Sequence, residues 1–227
     1  MQNNPHIRPL VGWILFCLLM FVTIAVFASR SSFDWLDRTG YNLLSSLSTS
    51  FTTDVMILFS TLGNGKVVAP IAACLVIAAV VLRRFAEALA VALLLLLGEN
   101  LNDLLKDWFA RPRPDGINLI DLPESYSFPS GHAMVSAPFY LLVGYLLHRL
   151  YGNRLLVRIL LAAAIVTALL ICLSRIYLGV HYTSDVLAGM FGGAAWLLII
   201  IALYETVIRN FFSRSRKPSA PISVHRE

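Results

Sequence analysis

The sequence predicts an all-α, polytopic membrane protein with six transmembrane helices and a short amphipathic interfacial helix after the first span. Of its 227 residues, 58% are hydrophobic and only 14% are charged, whereas soluble domains average about 25% charged residues. Long apolar runs recur along the chain, and about 20 apolar residues suffice to cross a bilayer as a helix. We therefore expect one membrane domain over residues 1–212, followed by a basic, disordered cytoplasmic tail over residues 213–227.

The first apolar run extends from Leu10 to Ala28. Its last residues, Val26-Phe27-Ala28, resemble the cleavage site of a signal peptide. The run is longer than the usual signal-peptide core of about 7–15 residues, so we expect a retained helix. The polar, serine-rich segment that follows contains Phe33–Leu47, which suits a helix lying on the membrane surface.

Five further spans follow the amphipathic helix. They are predicted at Val67–Leu82, Phe85–Phe109, Ser130–Leu147, Ile159–Leu173 and His181–Ile208. Before them, Phe51–Leu62 is apolar but too short to span, and Gly63-Asn64-Gly65 breaks it. In the last span, Gly189 and Gly193 form a small-xxx-small pair that permits close helix packing.

The third span has a polar second half, which carries Glu99, Asn100, Asn102, Asp103, Lys106 and Asp107. Ionisable residues this close to a membrane span are candidates for a site in the bundle interior. The alternative for Glu99 and Asp103 is that the helix emerges into water at this point, and the sequence leaves both possibilities open.

The cysteines indicate no metal or disulfide chemistry. Cys17, Cys74 and Cys172 all lie inside apolar runs, so we expect small buried thiols, no disulfide and no metal site. No cofactor is expected, and no cluster of residues suggests nucleic-acid binding.

The distribution of Lys and Arg predicts the orientation. With both termini in the cytoplasm, the cytoplasmic side holds eleven basic residues: Arg8, Arg83, Arg84, Arg149, Arg154, Arg158, Arg209, Arg214, Arg216, Lys217 and Arg226. The opposite side holds seven: Arg30, Arg38, Lys66, Lys106, Arg111, Arg113 and Arg175. This excess agrees with the positive-inside rule. It places residues 106–132 and 174–185 together on the outer face.

Three polar stretches on that face have ordinary explanations when each is taken alone. In the first stretch, Arg113-Pro114 follows Lys106 after six residues, and these basic residues can be an interfacial anchor. In the second stretch, Pro129-Ser130-Gly131-His132, the serine can cap a helix. In the third stretch, His181 follows Ser174-Arg175 after five residues, and Asp185 follows His181 after three more. This stretch can be a charged loop between two spans. A single histidine near a helix start is more often structural than catalytic.

Together the stretches supply the parts of a phosphoryl-binding site. Lys106, Arg113 and Arg175 are three cations, and guanidinium groups suit bidentate phosphate binding. Ser130 offers a hydroxyl, and Gly131 lets backbone N–H groups approach an anion. Such groups can hold a phosphoryl group and neutralise its developing charge.

Two histidines supply the reactive groups. Asp185 lies four residues after His181, so on a helix the carboxylate would share a face with the imidazole. One ring nitrogen could then be held protonated while the other attacks. His132 has no such local partner and suits proton transfer.

These stretches resemble the three motifs of the type 2 phosphatidic acid phosphatase superfamily, Lys-x6-Arg-Pro, Pro-Ser-Gly-His and Ser-Arg-x5-His-x3-Asp. All eleven specified positions are filled in order, between Lys106 and Asp185. The six-span layout resembles that of the membrane-bound bacterial members.

The resemblance implies a lipid phosphatase of the bacterial inner membrane that forms a phosphohistidine without a metal. It implies that His181 attacks phosphorus, that Asp185 orients His181, and that His132 protonates the leaving oxygen and then helps to activate water. The phosphate-binding residues would be Lys106, Arg113, Ser130, Gly131 and Arg175. Ser174 would have a supporting hydrogen-bonding role. Arg111 begins a second Arg-Pro pair, and we favour an interfacial anchor over a contact behind the site.

The resemblance names a substrate class rather than one lipid. It includes undecaprenyl pyrophosphate, phosphatidylglycerol phosphate and phosphatidic acid, and no protein partner is expected. A lipid phosphotransferase using the same intermediate is an alternative. A non-catalytic membrane transporter or scaffold is another, suggested by Pro70, Pro138 and the polar third span.

Overall fold

The computed structural model describes residues 7–30, 32–208 and 211, and these residues form helices joined by turns and loops without any β-strand. The helices are α1 (Ile7–Ser29), α2 (Asp34–Ser45), α3 (Ser50–Leu62), α4 (Gly65–Val81), α5 (Phe85–Phe109), α6 (Ala137–Tyr151), α7 (Leu155–Tyr177) and α8 (Thr183–Leu203). π-helical turns precede α6 at His132–Ser136 and follow α8 at Tyr204–Ile208. The all-α fold class is confirmed, while the predicted tail over residues 213–227 lies outside the described residues.

The described residues provide five helices that are long and apolar enough to cross a membrane. A sixth crossing arises if α3 and α4 count as one span, bent by 50° between them. The sequence placed this crossing in Val67–Leu82 alone. The structure makes that segment one part of a broken span, because Gly63 ends α3 and the Asn64 side chain caps α4 by accepting the Lys66 N–H at 2.9 Å.

Helix α1 is an integral part of the bundle. Ile24, Ala25 and Ala28 are buried in one cluster with Ala188 of α8 and Phe128. The predicted retained helix therefore has a packing role, which a chain without this segment would lose.

The small-residue pair on α8 packs as predicted. A Cβ atom at Gly189 would lie 2.8 Å from the Ser130 carbonyl oxygen, and one at Gly193 would lie 2.8 Å from that of Met134. Real Cβ atoms do not approach so closely, so both positions require glycine for the contact between α8 and the start of α6.

The polar half of α5 separates into an outer and an inner face. Glu99 and Asp103 are exposed, whereas Asn102 is 1% exposed and its Nδ2 donates to the Pro129 carbonyl at 3.3 Å. The inward-facing residue is therefore an amide, while Glu99 and Asp103 lie outside the bundle interior.

The cysteine prediction needs one correction. Cys17 and Cys172 are buried, but Cys74 is exposed, and all three thiols are free. Cys74 lies in the middle of an apolar helix, so its exposed side faces the bilayer rather than the protein core.

One end of the bundle brings the motif-bearing segments together. The backbone N–H of Ser130 donates to the Asp185 carbonyl at 3.2 Å, and that of Leu119 donates to the Leu178 carbonyl at 2.9 Å. Phe109 and Phe128 stack edge to face with centroids 4.7 Å apart. The loop after α5, the start of α6 and the α7–α8 turn therefore form one surface.

Candidate active site

The turn between α7 and α8 positions His181. Gly179 has a φ of +67°, and a Cβ atom there would collide with the Ile117 carbonyl oxygen. Glycine is therefore required both by the left-handed backbone and by the adjacent loop. Beyond this turn, the His181 N–H donates to the Arg175 carbonyl at 3.3 Å.

The prediction that His181 and Asp185 share a helical face is wrong in its geometry, although the two side chains do meet. Helix α8 begins at Thr183, so His181 precedes it. Asp185 bends back over the helix start, where its Oδ2 accepts the Tyr182 N–H at 3.0 Å and lies 3.5 Å from His181 Nδ1. The pairing results from helix capping instead of the four-residue helical repeat.

Ser127 completes the environment of His181 Nδ1. Its hydroxyl donates to Asp185 Oδ2 at 2.5 Å, and its oxygen lies 3.3 Å from His181 Nδ1. Because that hydroxyl proton is committed to Asp185, the Ser127 oxygen can accept a proton from Nδ1. Both neighbours therefore favour a proton on Nδ1.

Arg113 determines the state of the other ring nitrogen. Its Nη1 lies 3.0 Å from His181 Nε2 and 2.8 Å from the Val180 carbonyl. A guanidinium can only donate, so Nε2 must accept with its lone pair. The unprotonated nitrogen of His181 thus faces the predicted phosphate-binding residues.

The surroundings keep His181 neutral. Burial lowers the pKa of the imidazole to about 4, with Asp185 opposing this shift and Arg113 and Arg175 adding to it. At neutral pH the ring therefore carries a single proton and retains a lone pair, as a nucleophile requires.

Lys106, Arg113 and Arg175 form a cluster of cations that repel one another. None of them belongs to an ion pair within the described part of the chain. The Ser125 hydroxyl bridges two of them, accepting from Lys106 Nζ and Arg113 Nη2 at 3.2 Å each. Cations that are held together without a salt bridge to a carboxylate can bind an anion.

Ser130 and Gly131 lie beside these cations. The Ser130 hydroxyl is fully buried and has no hydrogen-bond partner among residues 7–30, 32–208 and 211. The helix-cap explanation is therefore wrong, since Gly131 is the cap position and no side chain caps the turn. A Cβ atom at Gly131 would come within 3.0 Å of Asn102 Oδ1, so glycine leaves space for this amide, and it would lie 3.9 Å from Lys106 Nζ, an ordinary contact distance.

The end of α3 positions His132. Its Nε2 lies 3.0 Å from the Ser60 carbonyl oxygen, which can only accept, so Nε2 carries the proton and Nδ1 is left to exchange one. Arg175 Nη1 donates to the Ser60 hydroxyl. A Cβ atom at Gly63 would come within 2.6 Å of the His132 ring. The helix break therefore belongs to the site, which the sequence did not indicate.

Arg111 is a contact behind the site, and the preference for an interfacial anchor is wrong. Its Nη1 donates to Asp185 Oδ1 at 2.5 Å and to the Ser184 hydroxyl at 2.8 Å, while its Nη2 donates to Asp37 Oδ2 at 2.8 Å. The guanidinium also lies 4.1 Å from the centre of the Tyr182 ring. Two carboxylates and a ring hold Arg111 in place, so its side chain does not extend to the membrane surface.

The structure thus brings the predicted site residues to one end of the bundle. Among them, the Ser174 hydroxyl donates to the Ile171 carbonyl at 2.7 Å, which is a supporting contact within α7. Sequence reasoning missed four neighbours, namely Asp37, Ser60, Ser125 and Ser127, and it named Asn102 only as part of the polar half of the third span. Only Asp37 carried a usable signal, since it interrupts the apolar stripe of α2 formed by Phe33, Tyr41 and Leu44. The three others are serines in a loop or near a helix end, where serine is common.

Comparisons with known proteins identify the family of this chain. The PAP2 superfamily profile matches residues 87–209. Phosphatidylglycerophosphatase B of Bacillus subtilis is 36% identical over 113 residues, which cover 49% of this chain and 54% of that protein. The match therefore spans about half the length of this curated relative.

Two solved structures resemble the fold. The transmembrane PAP2 type phosphatidylglycerolphosphate phosphatase from Bacillus subtilis has a TM-score of 0.74 at 28% identity, covering 87% of this chain and 96% of that one. Aquifex aeolicus LpxE has a TM-score of 0.59 at 26% identity, and the match covers 73% of this chain and 94% of that one. Because the family profile covers more than half of the sequence, including all three motifs, this chain belongs to the PAP2 superfamily.

Proposed function

We propose that this protein is an integral membrane lipid phosphatase that hydrolyses a phosphate monoester or pyrophosphate through a phosphohistidine intermediate. The observation that carries the proposal is the environment of His181. Its Nδ1 faces Asp185 and Ser127, while its unprotonated Nε2 faces Arg113 within the cation cluster. This arrangement suits attack on a bound phosphoryl group.

In the first step, the lone pair of His181 Nε2 forms a bond to phosphorus as the bond from phosphorus to the lipid oxygen breaks. Lys106, Arg113 and Arg175 would bind the phosphoryl oxygens and balance their charge, with the Ser130 hydroxyl and the space at Gly131 completing the cradle. His132 would enter this step as an imidazolium, with a proton on Nδ1 as well as on Nε2, and would transfer the Nδ1 proton to the departing lipid oxygen.

In the second step, water attacks the phosphorus of phosphohistidine. His132 Nδ1, now unprotonated, takes a proton from the water, and the bond between phosphorus and His181 Nε2 breaks. Inorganic phosphate leaves, and the ring recovers its lone pair. Asp185 would hold the Nδ1 proton in both steps, so the ring keeps one orientation throughout.

The substrate class follows from the position of the site at the ends of membrane helices. A lipid can keep its tail in the bilayer there while its phosphate enters the cation cluster. The similar Bacillus protein is named for phosphatidylglycerophosphate, which makes this lipid the first one to test, beside phosphatidic acid and undecaprenyl pyrophosphate. A lipid phosphotransferase would use the same histidine but requires an acceptor alcohol.

The test is phosphate release by the purified protein in detergent micelles containing each of these three lipids. We expect release from at least one lipid, unchanged by EDTA, because the proposed chemistry uses histidines and fixed cations. A loss of activity that a divalent ion restores would contradict the metal-free mechanism. An added lipid alcohol that becomes phosphorylated while phosphate release falls would favour the phosphotransferase instead.

We also propose that both termini are cytoplasmic and that the site faces the periplasm of the inner membrane, in accordance with the distribution of basic residues. In a Cys74→Ala background, Glu124→Cys labels the site-bearing loop and Arg154→Cys labels the turn at the opposite end. A membrane-impermeant thiol reagent added to intact cells is expected to modify only Glu124→Cys. Modification of only Arg154→Cys would reverse the orientation.

A further inference from the structure

Helix α2 contributes a second carboxylate behind the site. Asp37 lies outside all three motifs and is 7% exposed. Its Oδ1 accepts the Ser184 N–H at 2.8 Å, and its Oδ2 accepts the Ser184 hydroxyl at 3.0 Å and Arg111 Nη2 at 2.8 Å. Asp37 therefore contacts both the first turn of α8, which carries Asp185, and the guanidinium that binds Asp185.

Arg111 is shared by the two carboxylates. Its Nη1 bonds to Asp185 and its Nη2 bonds to Asp37. Burial opposes the charge of Arg111, but Asp185 and Asp37 outweigh it and hold the pKa of the guanidinium above its ordinary value. The contacts form one continuous chain from Asp37 through Arg111 and Asp185 to His181.

The charge balance of this chain explains why a second carboxylate is needed. Arg111 by itself would cancel the charge of Asp185. With Asp37 included, the two carboxylates and one guanidinium carry a formal charge of about −1, and buried charges are poorly screened. His181 gains positive charge as Nε2 bonds to phosphorus, so a net negative charge on its Nδ1 side stabilises the transition state.

We propose that Asp37 is a positioning residue for phosphoryl transfer, which acts through Arg111 and Asp185 on the orientation and charge of His181. This inference rests on the proposed phosphatase function. It assigns a mechanistic role to α2, a helix that the sequence indicated only as a membrane-surface element.

Asp37→Asn tests the proposal, with Asp34→Asn on the exposed side of the same helix as the matched control. We expect kcat to fall about 10- to 100-fold, by analogy with the loss of an outer partner of a metal-binding histidine, with KM changed less than about threefold. In an Asp185→Asn background, Asp37→Asn should lower kcat less than about threefold further, because its effect passes through Asp185. Melting temperatures identify any variant that fails to fold.

Two outcomes would overturn the inference. One is an equal loss of kcat from Asp37→Asn in both backgrounds, and the other is a rise in KM with kcat unchanged. A wild-type protein that releases no phosphate from any lipid would instead contradict the proposed function. In that case the tautomer of the His181 ring still tests the role of Asp37. In ¹⁵N NMR of histidine-labelled protein, the wild type should show His181 protonated on Nδ1, and Asp37→Asn should show a larger share of the form protonated on Nε2. An unchanged tautomer in Asp37→Asn would refute the inference without any activity assay.

Discussion

Replacing His181 with alanine is expected to lower kcat for phosphate release by about 10⁴-fold or more, as for the loss of other essential groups that act as a unit. Alanine removes the one protein atom that bonds to phosphorus in the proposed mechanism. The cations and Ser130 remain, so the lipid should still bind. The measurement is phosphate release from micellar lipid phosphate, with KM or lipid binding measured in parallel.

A matched control is His148→Ala, since His148 lies in the last turn of α6 at the opposite end of the bundle. This variant should retain wild-type activity. Rapid acid-free quenching of wild-type protein with ³²P-labelled lipid should trap an acid-labile phosphoprotein, and the His181→Ala variant should yield none. Turnover that survives in His181→Ala would rule out this histidine as the nucleophile.

Asp185→Asn is expected to lower kcat by about 10³- to 10⁴-fold, similar to the loss when the carboxylate of a catalytic triad becomes an amide. An asparagine amide can donate to Nδ1 and would then move the ring proton to Nε2. That proton blocks the lone pair that faces Arg113 and the phosphoryl group. Because the cation cluster is unchanged, KM should shift less than about threefold.

The control for this variant is Asp121→Asn on the exposed loop before the site. Melting temperatures show whether the half-buried Arg111, which keeps Asp37 as a partner, tolerates the change. Losses of similar size in kcat and in substrate affinity would indicate that Asp185 has a structural role instead of orienting His181.

These two predictions depend on residues that the sequence identified, but the geometry behind them came from the structure. The four-residue spacing of His181 and Asp185 suggested a shared helical face, whereas the contact forms across a helix start. Spacing along a chain cannot distinguish these cases, because a capping carboxylate and a helical neighbour can both be four residues away.

Arg111 illustrates the same limit. A basic residue after a membrane helix is a common interfacial anchor, and nothing near Arg111 in the sequence argues otherwise. Its two carboxylate partners lie 74 residues away on either side, at Asp37 and Asp185. Contacts over such separations depend on how helices pack, which local patterns do not encode.

The sequence by itself determined the fold class, most helix positions and the residue types of the site. Apolar runs of spanning length and three motifs with defined spacing are local properties of the chain. The tertiary structure decided which nitrogen of His181 is free, that the end of α3 orients His132, and that α2 places Asp37 behind Asp185. Each of these depends on a hydrogen bond between distant segments, and only the packed bundle brings such donors and acceptors within reach.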